Sequence, residues 1–527
     1  MSFLLISGLG PFRAHSEYLA GTPLGRDYAQ NVELQQLYAR LAGQPIDLRQ
    51  LRCTTTNGST QPLLRSRDQR EPCLSTVTMR SILDCHGVDY DALDIEDLWY
   101  EGVEPPRSHY DIIGLSTTYL CRGKHLRHVI RWIRDRFPTA TLVVGGQFSN
   151  LKYSTIMRTL DVDYIIRGDA EAALPMLLRA LEGRGDLDRV PNLVARGTDG
   201  GPHMNTFEYI DIEAEPSPSF RGTHHTVPYE SMRGCPFTCK YCSFPAASPK
   251  WRFKSAEKIV RDWTSYAEQN GTKLIAALDS TFTIPPARLR RLLQLLPQAR
   301  VPWYSFSRAD MIDSKALVAQ LEEAHCAGLA IGFESMNDTT LLAMDKKVTA
   351  DENRRAVELL DDSRILVNGS FIVGYPGETP DAFEDTRAFI VRELRGRFSL
   401  SIFSVIDETM PVWADAAKYQ LEETDDGWKH CGMDYATAAQ LLARTVQDVR
   451  WKSDNAVMIT WQVDYATPLV PGLNLKANRR IEKLVERLTF LARDWGTDES
   501  APARARAIVA ELDQLGVRMA SEPATAA

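Results

Sequence analysis

Glu230-Ser-Met-Arg-Gly-Cys-Pro-Phe-Thr-Cys-Lys-Tyr-Cys-Ser-Phe-Pro245 sets three thiols, Cys235, Cys239 and Cys242, within eight residues, and no fourth cysteine lies nearby. A tetrahedral zinc site takes four protein ligands. Thiolates also hold iron–sulfur clusters, and a four-iron cluster bound by only three of them leaves one iron open to a small molecule. An open iron inside a large chain points to catalysis rather than to electron storage alone. Gly234 and Pro236 keep the loop irregular, so the sulfurs can converge instead of pointing around a helix. A zinc knuckle stays open as the other reading, although zinc sites usually come as paired C-x2-C units.

The spacing C-x3-C-x2-C, with Tyr241 just before the last cysteine, resembles the radical S-adenosylmethionine (SAM) superfamily. That resemblance implies a [4Fe-4S] cluster on Cys235, Cys239 and Cys242, with the amino and carboxylate groups of SAM on the open iron. It also implies an external electron donor of flavodoxin or ferredoxin type, and cleavage of SAM to a 5′-deoxyadenosyl radical.

The chain of 527 residues is too long for one ordinary core, so two or three domains are expected. Its 44% hydrophobic and 25% charged residues are those of a folded soluble protein. Net charge is −8 with the positive charge scattered, which argues against a nucleic-acid partner or an anionic membrane surface. No apolar run approaches the roughly 18 residues that span a bilayer. Met-Ser-Phe-Leu-Leu-Ile-Ser-Gly at the start reads as a buried strand rather than a signal peptide. Nine cysteines, odd in number and scattered, do not form a disulfide framework, and a reducing cytoplasm and a monomer are expected.

Residues 1–215 alternate apolar runs with amphipathic stretches. Strands are expected at Phe3–Ile6, Tyr90–Ile95, Asp111–Ser116, Ala140–Gly146 and Tyr164–Arg167, with helices at Thr76–Cys85 and Lys124–Arg136. Near-continuous apolar strands between helices predict a parallel sheet covered on both faces, an α/β Rossmann-like (flavodoxin-like) domain. Such sheets bind ligands beyond the carboxyl ends of their strands. Those ends carry Ser116-Thr117-Thr118, Gly145-Gly146-Gln147 and Gly168-Asp169-Ala170-Glu171.

These strand ends, standing before the cysteine loop, resemble the cobalamin-binding domain of one large radical SAM class. The resemblance makes Ser116, Thr117, Thr118, Gly145, Gly146, Gln147, Gly168, Asp169 and Glu171 expected cofactor contacts. Small residues would let the flat corrin approach, and hydroxyls would bond its amide arms. The D-x-H-x-x-G motif that brings a histidine to cobalt in other cobalamin proteins is absent; the loop at Gly8–Ser16 has only His15, so no lower-face histidine is expected. Residues 20–72, with Arg65-Ser-Arg-Asp-Gln-Arg70, read equally as a loop over the corrin or as a surface insertion.

After the cysteines, strands at Leu274–Leu278, Pro302–Ser307, Leu329–Phe333 and Val367–Val373 predict a partial (β/α)6 barrel over 216–410. Gly332-Phe-Glu-Ser335 with Met344-Asp-Lys-Lys347 resembles the radical SAM Gly-x-Glu-Ser segment and its trailing lysine. Gly374-Tyr-Pro-Gly-Glu-Thr379 and Asp279-Ser-Thr-Phe282 also match the class. By that analogy Tyr241, Asp279, Arg308, Glu334 and Ser335 contact SAM, since a zwitterion in a closed site needs charge partners. A lone Glu or Arg at a strand end is also read as a structural ion pair. The Pro-Gly-Glu-Thr turn reads as architectural, with Gly377 at positive φ and Glu378-Thr379 capping the next helix. Residues 411–527 read as a mostly helical region carrying Trp413, Trp428, Trp451, Trp461 and Trp-Lys-His430-Cys-Gly-Met433. Helices at Tyr435–Lys452 and Ala477–Arg493 are expected to close the barrel mouth, and Ala524–Ala527 to be disordered.

No Ser-His-Asp or paired-carboxylate constellation stands out, and no residue is assigned a catalytic role. The resemblance implies a cobalamin-dependent methyltransferase that moves a methyl group from SAM, through methylcobalamin, to carbon or phosphorus of a small metabolite. Phosphinate or other antibiotic biosynthesis is one such setting. The alternatives are a non-methylating rearrangement or cyclisation, a cobalamin or Fe–S sensor without turnover, and a methylthiotransferase using Cys53, Cys73 and Cys85.

Overall fold

Phe3–Ser7 is apolar to its last residue, and every one of its five side chains is buried. It lies at the heart of a sheet in the computed structural model, which describes residues 1–8, 38–41, 44–47, 51–54, 60–62, 72–99, 102–118, 120, 123–405, 409–424, 427–458, 466, 468, 470–491 and 498–519. His15, Arg65–Arg70, Trp461 and the 524–527 tail lie outside the described residues, as does most of 20–72. Contacts divide the chain into two compact units, 1–32 with 71–236 and 243–273, and 33–70 with 237–242 and 274–527.

In the first unit, Phe3–Ser7 pairs in parallel with Tyr90–Asp94 on one side and Ile112–Ser116 on the other. Thr141–Gly145 and Tyr164–Ile166 follow in parallel, and Leu193–Arg196 and Pro202–Met204 extend the edge antiparallel. The five parallel strands thus run 2-1-3-4-5 across the sheet. That is the flavodoxin-like order, with its topological switch between the first and third strands.

Alternate residues explain why these strands read as unbroken apolar runs. Leu4, Ile6, Ile113, Leu115, Leu142 and Val144 face a layer that includes Leu126, Val129 and Ile133 of the helix Gly123–Arg136. Phe3, Leu5, Ile112, Val143 and Ile166 face the opposite layer, with Leu174, Leu177 and Leu178 of the helix Ala173–Leu181. Each such side chain contributes about 1.5–3 kcal/mol by leaving water, so both faces must stay covered.

The second unit contributes six parallel strands in sequential order, Leu274–Ala277, Trp303–Arg308, Cys326–Glu334, Leu366–Val373, Gly396–Ile402 and Ala456–Met458. Gly396–Ile402 escapes sequence reading because Arg397 interrupts it. That guanidinium is 2% exposed and bonds Glu482 through both Nε (3.0 Å) and a second nitrogen (2.5 Å).

The two expected C-terminal helices form at Tyr435–Lys452 and Leu475–Leu491. Tyr435–Lys452 links the parallel strands Gly396–Ile402 and Ala456–Met458 and packs beside Pro380–Arg392, with Arg387 paired to Asp448. It is the crossover helix between those two strands, with Val446 and Val449 among its buried residues. Leu475–Leu491 builds a separate core with Ala501–Gln514, where Ile481, Leu484 and Leu488 meet Ala505, Ile508 and Leu512. Cys53 is packed into that apolar core.

Candidate functional site

The strand ends of the first unit are built by close backbone approach. Gly146 has φ +104, and a Cβ there would stand 2.8 Å from the Thr118 nitrogen and 3.0 Å from that of Thr117. At Gly145 a Cβ would make ordinary contact, 3.8 Å from the Ile166 carbonyl oxygen. Thr117 is wholly buried, donating to the Gly145 carbonyl (2.8 Å) and accepting from the Ser149 amide (3.0 Å). Its hydroxyl is therefore used within the fold, whereas Ser116 and Thr118 bond each other at 3.3 Å and stay partly exposed. Gln147 is exposed as the first residue of the helix Gln147–Thr159.

Beyond Tyr164–Ile166, Gly168 (φ +101) turns the chain where a Cβ would strike the Phe207 ring at 2.7 Å. Asp169 then sits 6% exposed against two guanidiniums, 2.8 Å from Arg233 and 2.6 Å from Arg252, and accepts from the Ile210 amide at 3.0 Å. Burial pulls its pKa upward, but the Arg252 hydrogen bond and both guanidinium charges outweigh that and hold it below the ordinary value. Glu171 bonds Arg233 at 2.5 Å. Sequence reading missed both arginines as partners, since nothing in their spacing shows where they fold.

In the second unit the positive-φ residue Glu334 (φ 64) ends its strand with a carboxylate 6% exposed. Lys346 stands 3.1 Å away, and Tyr241 donates to the same Oε1 at 3.0 Å. The Lys346 ammonium is also 3.0 Å from the Tyr241 hydroxyl, which closes a part-buried triangle. Burial, then the Glu334 charge, pushes the Tyr241 phenol well above its usual pKa. Gly332 makes room: a Cβ there would lie 2.2 Å from Glu334 Oε1 and 3.1 Å from Lys346 Nζ. Of the two trailing lysines, Lys346 is buried and Lys347 exposed.

Arg308 is joined to this group by its NH2, 2.8 Å from the Lys346 carbonyl. Asp310 takes two further bonds from it at 3.0 and 3.1 Å. The guanidinium carbon lies 3.8 Å over the Phe237 ring, and NH1 reaches Cys239 Sγ at 3.9 Å. Tyr241, Arg308 and Glu334 are thus brought together. Ser335 is not: it is fully buried, accepts from the Asn337 amide at 3.1 Å and bonds Thr386 at 3.3 Å. Asp279 is buried just past Leu274–Ala277.

The Gly374–Thr379 turn is structural. Gly377 has φ +93, and Thr379 caps the helix Pro380–Arg392 by accepting from the Ala382 amide at 3.2 Å. Glu378 instead turns inward and accepts from the Gly374 amide at 2.7 Å. The Trp-Lys-His-Cys-Gly-Met run braces this turn: His430 Nδ1 accepts from the Gly377 and Gly432 amides, and Trp428 stacks on His430 with centroids 5.0 Å apart.

Glu378 is 2% exposed and its Oε1 has no partner among the described residues, so burial pushes its pKa from 4.5 to about 8. Between those values the folded chain keeps a proton that the unfolded chain has lost. Stability is therefore expected to fall as pH rises through this window, by up to about 1.4 kcal/mol per unit from this group. Glu378→Gln should remove that slope in unfolding curves taken across the window, and an unchanged slope would refute the assignment.

Among the described residues, no three His, Cys, Asp or Glu side chains meet closely enough to hold one metal ion. A cubane binds each thiolate to a different iron, so its ligands stand around it instead of meeting at a point. Cys235, Cys239 and Cys242 are in no disulfide, and the Arg308 cation at Cys239 suits an electron-rich sulfur. The donor set fits a cluster with one open iron.

Residues 229–390 match the model of the radical SAM superfamily, so the chain carries a radical SAM domain. It is 24% identical over 261 residues to the anaerobic magnesium-protoporphyrin IX monomethyl ester cyclase of Synechocystis sp., covering 46% of this chain and 52% of that one. It is 27% identical over 293 residues to an uncharacterized methyltransferase of Pyrococcus horikoshii, covering 53% and 63%. The chain thus spans between about half and just under two thirds of these curated relatives. Among solved structures, the radical SAM methyltransferase TsrM of Kitasatospora setae, with cobalamin and a [4Fe-4S] cluster bound, superposes with TM-score 0.59 and 16% identity, over 81% of this chain and 96% of that one. The cobalamin-dependent SAM radical enzyme OxsB gives TM-score 0.50 and 19% identity, over 70% and 56%. At these identities the likeness is one of fold. No described helix is long and apolar enough to cross a membrane.

Proposed function

We propose that this chain is a cobalamin-dependent radical SAM methyltransferase that transfers a methyl group from SAM to a carbon or phosphorus atom of a small metabolite. The observation that carries this reading is the presence in one chain of a 2-1-3-4-5 sheet with small-residue strand ends and a radical SAM domain with three cysteines. The fold likeness to TsrM and the methyltransferase relative support it.

Cys235, Cys239 and Cys242 would hold the cluster, and Ser116, Thr118, Gly145 and Gly146 would border the cobalamin. When bound, the cluster supplies an electron for SAM cleavage, and cobalamin supplies a carrier for the methyl group. The chain's own residues bind and orient. Glu334 is the anion for the SAM ammonium, and Lys346 and Tyr241 hold that carboxylate in place before SAM arrives. Burial of Glu334 and Lys346 limits the access of water to the contact. A reductant and a small-molecule substrate complete the reaction; a soluble, cytoplasmic setting is part of the proposal.

A second reading, radical cyclisation without methyl transfer, is favoured by the cyclase relative. Reconstituted protein incubated anaerobically with trideuteromethyl-SAM and a low-molecular-weight metabolite extract separates the two. Methyl transfer predicts S-adenosylhomocysteine and a deuterated small molecule. 5′-Deoxyadenosine with neither of these would favour the cyclase reading.

A further inference from the structure

The two arms of the cysteine loop leave the first unit as a short antiparallel pair, Met232–Arg233 with Arg252–Phe253. Their register sets Arg233 directly opposite Arg252. Like charges facing one another across a ladder are destabilising, so this pairing stands only with an anion between them. Asp169 is that anion. Its Oδ1 takes Arg233 at 2.8 Å and its Oδ2 takes Arg252 at 2.6 Å. Glu171 and Glu230 hold the remaining edge of Arg233, at 2.5 and 3.0 Å. Arg252 also donates to the Ile210 carbonyl (2.9 Å) and lies 4.9 Å over the Tyr209 ring.

The backbone around this pair is equally confined. Lys254 donates its amide to Ser231 at 2.8 Å. Gly234 has φ +80, and a Cβ there would stand 2.5 Å from the Lys250 carbonyl oxygen, so the arms touch one residue before Cys235.

We infer that Asp169 and Glu171 are positioning residues for the cysteine loop: they clamp its two arms through Arg233 and Arg252 and so fix Cys235, and they do not bind cobalamin. This rests on the reading of Cys235, Cys239 and Cys242 as cluster ligands. It reassigns the Arg167-Gly-Asp-Ala-Glu171 turn, whose carboxylates are spent on guanidiniums inside their own unit.

Asp169→Asn tests the clamp, because it keeps the side-chain shape and removes the shared charge. Three rates or affinities are read. In the apoprotein, alkylation of Cys235, followed by peptide mass spectrometry, should quicken at least about tenfold as the freed arms open locally. In reconstituted protein, loss of iron to a chelator should quicken similarly. Hydroxocobalamin affinity, read by absorbance, should stay within about twofold of the parent. Glu171→Gln, which removes only one contact of Arg233, should move the first two rates less and in the same direction, and it serves if Asp169→Asn does not fold. A fall in cobalamin affinity with unchanged alkylation would overturn the clamp and return the turn to the cofactor. Should the parent chain take up no cluster while alkylation still quickens, the clamp stands and the functional reading falls.

Discussion

Gly332→Ala is expected to weaken SAM binding by about 1.5–3 kcal/mol, roughly ten- to hundredfold in Kd, the worth of a hydrogen bond to a charged group. The added methyl would sit 2.2 Å from Glu334 Oε1, so the carboxylate must shift from the place it holds beside Lys346. Glu334 is already held at φ 64, a conformation costing about 1–3 kcal/mol that persists only where the surroundings dictate it. Lys346 and Tyr241 are those surroundings. Equilibrium dialysis with SAM on the reconstituted protein reads the change. An unaltered Kd would mean that the carboxylate does not receive SAM.

Lys346→Met should destabilise the chain by about 3–5 kcal/mol, since it leaves a buried carboxylate without its charge partner. Both side chains of the pair are under a tenth exposed, so water does little to soften the loss. Adding Glu334→Gln to Lys346→Met should restore most of the stability, because a neutral amide no longer needs an ammonium. Denaturant unfolding of the single and double variants measures this. Equal stability of Lys346→Met and the parent would show that the pair is solvated in solution.

Sequence made the first sheet legible because its strands are covered on both faces, which forces runs such as Phe3–Ser7 and Thr141–Gly145 to be apolar throughout. It hid Gly396–Ile402, where Arg397 is neutralised by Glu482, eighty-five positions away in the chain. The site divides along the same line. Tyr241, Glu334 and Arg308 stand at recognisable spacings and do come together. Ser335 and Thr117 carry hydroxyls, but a hydroxyl serves the backbone as readily as a ligand, and both make bonds within the fold. At its strand end Asp169 has its charge matched by arginines that follow it by more than sixty residues. Ion-pair partners so distant leave no periodicity or motif to read.

The central claim, that one chain joins a cobalamin-bearing sheet to a SAM-using cysteine site, is tested most directly by S-adenosylhomocysteine formation. The protein is reconstituted anaerobically with iron and sulfide, reduced, and given SAM with and without hydroxocobalamin. S-Adenosylhomocysteine is expected only when cobalamin is present. An equal yield without cobalamin, or none from protein carrying both the cluster and cobalamin, would contradict it.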